Sequence, residues 1–588
     1  MTIQVGEVIA VHGVKIILKI DDESSKDTIF YKGNKFKGIS IREHISIQRG
    51  FKDIVCIIEG EYLDESRYEK DSNKVIYIRK VEAKPIGYFH EGKFVEGIKY
   101  LPMIKDPVFL VSENQVAKIY HGDHLNDSLV IGNLLKENIP LSLPWSRLFN
   151  THIGIFGNTG SGKSNTLAKL YKTLFDLKKD SIKGKSEFVL LDFNGEYTAD
   201  QLLSNKEKKI YHLSTREEDS NKFPISYEEL LDSETLGLLF KATPNTQLPF
   251  IKRVVKGWKK YRGEQESLCN YIRYTFKQIF TSKAQKKETV DLLRQVLKII
   301  NEDILDQRLS QISWHNKNFQ FYEAPDIYFD GTEDPYNKVF KASVDQITID
   351  SLTFFDELVI RFHLQLINDL NAGFVQFDHI QPLLKRIESS VANLDKVIEI
   401  NGEFPEEKIL TIVSLRRCNQ EIKKILPLLL AKHLYEKHKL EVTIPPNKTL
   451  HLIIDEAHNI LSLQSMREQE SWKDYRLELF EEIIKEGRKF GVFLTLSSQR
   501  PADISPTIMS QIHNFFIHRL VNDKDLFLLD NTISTLDSLS KGMIPNLSKG
   551  CCIITGTSFD LPLVLQVDKL ERSYQPDSED VDLEMVWS

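Results

Sequence analysis

The spacing of apolar and polar residues changes character twice along this chain. Up to about residue 140, short alternating or continuous apolar runs at 3–10, 14–20, 55–58, 75–78, 108–111 and 116–120 are separated by polar turns. Runs this short and closely spaced predict a small all-β barrel or sandwich over residues 1–140, with Pro140 and Pro144 marking a linker. From His152 the pattern alternates between strand and helix. HIGIFG predicts a strand, Leu167, Leu170, Tyr171 and Leu174 share one helix face, and 188–193 is a continuously apolar strand. Strands apolar on both sides predict a parallel sheet covered on both faces. Residues 240 to 440 then read mostly as amphipathic helices, for example 290–300 and 358–370, before strands resume at 450–454, 492–496, 515–517, 552–554 and 563–567. The predicted architecture is α/β, with the core divided by a helical insertion: 1–140 β-barrel, 141–240 first part of the core, 241–445 helical insertion, 446–567 second part, 568–588 acidic tail.

Composition narrows this further. With 588 residues, 41% hydrophobic, 27% charged and a net charge of −7, the chain is neither one small binding module nor a polybasic or disordered protein. The bulk charge argues against coating nucleic acid, which needs Lys and Arg in excess, but the charge is unevenly spread. Residues 251–300 hold 13 Lys and Arg against 4 Asp and Glu, interleaved with Trp258, Tyr261, Tyr271, Tyr274 and Phe276. That stretch is a candidate DNA face carried by Lys259, Lys260 and Arg262; the alternative is a helix core of aromatics beneath solvated lysines. Five scattered cysteines without a CxxC fit buried thiols of a reducing cytoplasm. No apolar stretch approaches the roughly 20 residues of a membrane span, and the first residues lack a secretory pattern, so a cytoplasmic protein is expected.

The chemistry sits at strand ends. Gly157-Asn158-Thr159-Gly160-Ser161-Gly162-Lys163-Ser164, followed by Asn165, matches GxxxxGK[ST] between an apolar strand and a helix. Its backbone N–H groups and helix N-terminus can cradle ATP phosphates, Lys163 can reach the β and γ oxygens, and Ser164 can bind Mg²⁺. A second metal carboxylate is supplied by Asp455 after the strand LHLII, with Glu456 placed to polarise water. DEAH at 455–458 also spells the box of two-lobed helicases. Asp455, however, stands 291 residues beyond Ser164 with 133 residues after it, which leaves no room for a second lobe. A single-lobed core needs a neighbouring subunit to complete its site, and therefore a ring. Gln499, at the end of another apolar strand, suits a γ-phosphate sensor, and Arg488 suits an arginine finger acting in trans, or else a helix-end partner of Glu486.

Together GIFGNTGSGKSNTL, LLDFNGEY, LIIDEAHN, EGRKFG and SSQRPADISPTIMSQIHNFFIHRL resemble the HerA branch of the HerA/FtsK ATPases, and GEVIAVHG and residues 97–120 resemble that family's β-barrel. The resemblance implies a RecA-like P-loop core in a homo-hexamer that moves double-stranded DNA using ATP and Mg²⁺. It also implies that Asp192 and Glu196 line the catalytic site with Glu456, Arg488 and Gln499. One departure is Asn150-Thr151-His152, where relatives often carry a basic residue ahead of the P-loop strand; Arg147 is a weak substitute. Such proteins work with a nuclease or a sirtuin-like effector, and the short acidic chain favours bacterial antiphage defence. The alternatives are a DNA-end-processing motor in repair and a nucleotide-controlled ring scaffold that activates an effector without moving DNA.

Overall fold

The computed structural model describes residues 3–578 and 586–587, except 22–27, 32–33, 68–74, 122–128, 218–220, 265, 350, 401–407 and 464–469. Two β systems frame the chain. Near the N-terminus, strands Lys15–Ile20, Gln4–His12, Pro107–Leu110, His44–Arg49, Lys52–Arg67 and Val75–His90 pair in that order. The last returns to the first through Ile16↔Ala83 to Ile20↔Arg79, so six strands close a barrel. Alternation explains the closure: Val8, Ile16, Leu18, Ile45, Ile47 and Val81 fill the interior while their neighbours face outward.

The second system is an 11-stranded sheet. Its middle is parallel, in the order Asn514–Ile517, Ile153–Phe156, Val492–Ser498, Thr449–Ile454, Ser186–Asp192, Leu410–Arg417, Lys208–Ser214. Beyond Asn514–Ile517 the antiparallel strands Cys551–Gly556, Phe559–Val567, Leu129–Leu134 and Pro140–Leu143 extend it. Strand Ile153–Phe156 is buried at every position, as a parallel strand covered on both faces requires. Helix Lys163–Ile182 lies against one face through Leu167, Leu170, Tyr171 and Leu174. The P-loop therefore stands at the carboxyl edge of the parallel sheet, beside the ends of Thr449–Ile454 and Val492–Ser498.

Between the two halves, helices Gln247–Tyr261, Ser267–Thr281, Glu288–Ile299, Asp303–Ser310, Phe354–Asn371 and Phe377–Val397 pack through one apolar cluster that is continuous with the sheet's core. Four local expectations are corrected. Leu410–Arg417, within the stretch read as helical, is a strand of the parallel sheet, between Ser186–Asp192 and the edge strand Lys208–Ser214. Leu129–Leu134, read with the N-terminal β section, pairs with Phe559–Val567 of the large sheet. Residues 116–120 form part of helix Glu113–His121, not a strand, because Ser112 and Gln115 exchange backbone–side-chain hydrogen bonds as a capping box. The supposed linker at Pro140 is the edge strand Pro140–Leu143, where a residue without an N–H is tolerated. All five cysteines are buried free thiols, and no described helix is long and apolar enough to cross a membrane.

Candidate nucleotide site

Strand Ile153–Phe156 delivers Gly157 at the sheet edge, and helix Lys163–Ile182 begins six residues later, so the intervening loop has to turn sharply. Gly162 holds φ 110°, and a Cβ there would meet Gly550 Cα at 2.9 Å. A Cβ on Gly157 would stand 2.4 Å from the Cβ of His518. Both glycines are fixed by close backbone approach as well as by the turn. The loop is anchored from Asn158 N–H to Arg519 O (2.9 Å), from Ser161 Oγ to Asn158 O (2.7 Å) and from Gly550 N–H to Ser161 O (2.8 Å). Lys163 is buried beneath it. Thr159 and Gly160 cap the loop's outer curve, Thr159 donating its hydroxyl to Gln499 Oε1. Asn165 does not face the cradle: its amide donates to Asp568 O (3.1 Å) and its oxygen accepts from Leu570 N–H (3.3 Å).

Opposite the loop lie four acids. Asp192 accepts backbone N–H groups from Gly195 (2.7 Å), Glu196 (3.1 Å) and Tyr197 (3.0 Å), so both its oxygens organise the loop after strand Ser186–Asp192. That loop aims Glu196 at the site, where it meets the Ser164 hydroxyl. Asp455 and Glu456 follow strand Thr449–Ile454 and are 2% and 5% exposed. Glu456 adopts φ 48°, a left-handed conformation that is strained for a residue with a side chain and is held here by its neighbours. One oxygen each of Glu196, Asp455 and Glu456 is buried without a hydrogen-bond donor. Burial raises the Asp455 carboxyl well above the carboxylate range, and the charges of Glu196, Glu456 and Asp192 push it further. Burial raises Glu196 as well. Several buried acceptors without donors, beside a hydroxyl and a phosphate cradle, fit a divalent cation bound with a triphosphate.

The sheet gathers the other candidates at two places. Gln499, just past strand Val492–Ser498, bridges the site, its amide N–H donating to Glu456 Oε1 and its oxygen accepting from Thr159. Arg488 lies in the 3₁₀ turn Gly487–Phe490 before that same strand, exposed, with its guanidinium donating to His513 Nε2 at 2.7 Å. Seven strand residues separate the two, on the order of 20 Å, so Arg488 cannot reach its own P-loop. Glu486 pairs with Lys489 instead (2.6 Å).

Sequence reasoning passed over three neighbours. His458, read as a local structural residue, stands 3.3 Å from Glu456 Oε2. Tyr197 is fully buried against Ser164 and Asp455. His518 sits under the P-loop, kept neutral by burial and then by Lys163. The DEAH spelling and the HRL of residues 518–520 were the available signals. At the departure ahead of the P-loop strand, His152 is fully buried and accepts Leu494 N–H (3.0 Å), Thr151 bonds Leu148 O (2.7 Å) and Arg147 is exposed. In the basic stretch, Trp258 and Phe276 are core, Arg262 is engaged by Glu228 and stacked 3.7 Å from the Tyr227 ring, and Lys259 and Lys260 are exposed.

Residues 129–369 match the family model for the central domain of helicase HerA. A "Probable helicase" of Methanocaldococcus jannaschii is 27% identical over 83% of this chain and 79% of its own length. The "DNA double-strand break repair helicase HerA" of Sulfolobus acidocaldarius is 25% identical over 88% of this chain and 86% of its own. Among solved structures, the bacterial conjugative coupling protein TrwB aligns with a TM-score of 0.42 at 12% identity, covering 79% of this chain and 95% of that one. VirB4 of Thermoanaerobacter pseudethanolicus aligns with 0.42 at 12%, covering 77% and 99%.

Proposed function

This chain is a P-loop ATPase of the HerA family, and from that premise we propose that it is a DNA translocase whose active sites are completed between subunits of a homo-hexameric ring in the cytoplasm. The observation that carries the reading is the placement of Arg488. It is exposed at the edge of the parallel sheet opposite the P-loop, about 20 Å from its own nucleotide site. Head-to-tail packing brings one protomer's Arg488 edge to the next protomer's P-loop edge, and rotation closes the series into a ring.

The residues divide the work. Gly157 to Ser164 bind the phosphates through backbone N–H groups and Lys163. Ser164 and Asp455, with Glu196 beside them, would hold Mg²⁺, which when bound offsets phosphate charge and orients the γ-phosphate. Glu456 accepts the proton of the attacking water and Gln499, already bonded to it, reports the γ-phosphate to the Thr159 side of the loop. Arg488 of the neighbour offsets charge developing on the leaving oxygens. The relatives named for double-strand break repair support duplex DNA ends as the substrate; a nuclease as the effector rests on the family resemblance. The expected antiphage role with a sirtuin-like effector rests on the family resemblance, the short acidic chain and the departure at Thr151.

The test is complementation. Glu456→Gln and Arg488→Ala should each lower ATP turnover at least 100-fold, the scale of a lost base or finger. Mixed in equal amounts and allowed to reassemble, they should recover about a quarter of wild-type turnover, because random head-to-tail pairing restores one interface in four. A mixture no more active than its components refutes the trans assignment. Wild-type turnover should rise on adding blunt duplex DNA; turnover indifferent to DNA but altered by a co-purified effector would establish the scaffold instead.

A further inference from the structure

Away from the nucleotide site, two tight turns from the two β systems meet. One, at 40–43 of the barrel, has Arg42 at φ 73° and leads Glu43 and His44 into strand His44–Arg49. The other, at 134–139 on the edge of the large sheet, has Asn138 at φ 54° and carries Lys136 and Glu137. The turns are held together by Lys37 Nζ donating to Lys136 O (2.6 Å) and by Lys136 Nζ donating to Ser40 Oγ (2.8 Å) and Ile41 O (2.6 Å). Donor atoms of Glu43, His44 and Glu137 all lie within 4.8 Å of one another. Glu43 and His44 are 6% and 4% exposed.

His44 distinguishes this cluster from an ordinary acidic patch. Its Nε2 is 2.8 Å from the Tyr120 hydroxyl, while Nδ1 is buried with no hydrogen-bond partner. One ring nitrogen lies within 4.8 Å of a carboxylate oxygen of each glutamate, and when Nε2–H donates to Tyr120 the unpartnered Nδ1 presents its lone pair beside two acceptor carboxylates. Lys136 offsets part of this charge, its ammonium 3.1 Å from Glu43 Oε1 and bonded as well to Ser40 Oγ and Ile41 O.

We propose that Glu43, His44 Nδ1 and Glu137 form a zinc site that pins the N-terminal barrel to the motor sheet. One imidazole nitrogen and two carboxylate oxygens make a three-ligand set for Zn²⁺, with water as the fourth ligand. Mg²⁺ and Ca²⁺, which favour all-oxygen shells, suit it less. With Nδ1 on the metal, Nε2 carries the proton and donates to Tyr120, the outer hydrogen bond that fixes ring orientation in metal-bound histidines. Zn²⁺ replaces the Lys136 ammonium at Glu43, and Glu137 binds ionised. The ligands come from both β systems, so binding ties one to the other.

The full chain, stripped with EDTA, is loaded with Zn²⁺ in millimolar Mg²⁺, desalted and assayed for metal by mass spectrometry. Wild type and Asp455→Asn should each retain one zinc per chain, which places the metal away from the nucleotide site. His44→Ala and Glu137→Gln should retain at least tenfold less. Zn²⁺ should raise the melting temperature of wild type and leave that of Glu137→Gln unchanged; this near-isosteric variant on an edge turn keeps its basal ATPase as the check on folding. Equal zinc in wild type and both variants, zinc lost only with Asp455→Asn, or no zinc retained by wild type overturns the proposal.

Discussion

At the scale of single residues, the nucleotide site is defined by close approach. Gly162 combines φ 110° with Gly550 Cα 2.9 Å from the position of a Cβ. Gly162→Ala therefore forces the loop and strand Cys551–Gly556 apart at a cost of about 1–3 kcal/mol. Because roughly 1.4 kcal/mol is a factor of ten, the Kd for a fluorescent ATP analogue should rise roughly 5- to 150-fold by titration, with a lower melting temperature. Gln499 gives a contrasting case. Gln499→Leu keeps the shape but removes both bridges, to Thr159 and Glu456. ATP should bind with little change while turnover falls on the order of 100-fold, a kcat effect that steady-state kinetics separates from KM. Lys163, Ser164, Asp455 and Glu456 were legible because their motif fixes neighbours in sequence. Tyr197 and His518 were not, because the contacts that matter to them cross between segments far apart in sequence, whereas the contact of His458 with Glu456 lies within the DEAH spelling.

At the scale of elements, the parallel strands carry two histidines in places usually taken by aliphatic residues. His451 of strand Thr449–Ile454 stacks on Phe188 with ring centroids 4.4 Å apart, and His152 accepts a backbone N–H at the head of the P-loop strand. Burial lowers both to about 3, with smaller contributions from His438 for His451 and from His513 for His152. Unfolded, they take protons near 6.5. Below that pH the unfolded chain binds protons that the folded chain refuses, so stability is constant above about 6.5 and falls as pH drops toward 3. Each histidine contributes up to about 1.4 kcal/mol per pH unit. Denaturant unfolding between pH 7.5 and 4.5 should show this slope, and His451→Phe, which keeps the stack, should reduce it. A slope unchanged in that variant removes His451 from the account. The same scale shows why Leu410–Arg417 was missed. A short continuous apolar run cannot be told from a buried helix segment by periodicity, and helices flank it on both sides. Helix Glu113–His121, by contrast, had its capping box in view at Ser112 and Gln115.

At the scale of the whole molecule, residues 568–578 return to the P-loop helix. Asn165 holds Asp568 and Leu570, Lys172 lies over the Tyr574 ring at 4.6 Å, and Asp577 N–H donates to Glu196 O (2.9 Å). Leu570 is buried in the cluster that packs this helix. Removing residues 568–588 strips a buried leucine worth about 1.5–3 kcal/mol and releases the backbone behind Glu196. The truncated protein should melt several degrees lower and bind ATP more weakly, with its oligomeric mass measured alongside; equal melting temperatures would show the segment to be idle. Residues 579–585 and 588, most of the acidic charge of this tail, lie outside the described residues.

What the sequence determined by itself is whatever is encoded locally: the alternation that makes the barrel, the apolar strands of a doubly covered sheet, the P-loop, the acid pair after a strand and the glutamine after another. These are readable because strand period, helix period and phosphate-binding turns each act over a few neighbouring residues. The tertiary structure alone decided which strands lie side by side. That placed Leu129–Leu134 and Leu410–Arg417 in the motor sheet, brought Gln499 onto Glu456, set Arg488 at the edge away from its own ATP site and brought Glu43 and His44 against Glu137. Those relations depend on strand order and on packing between segments hundreds of residues apart, which no local pattern records.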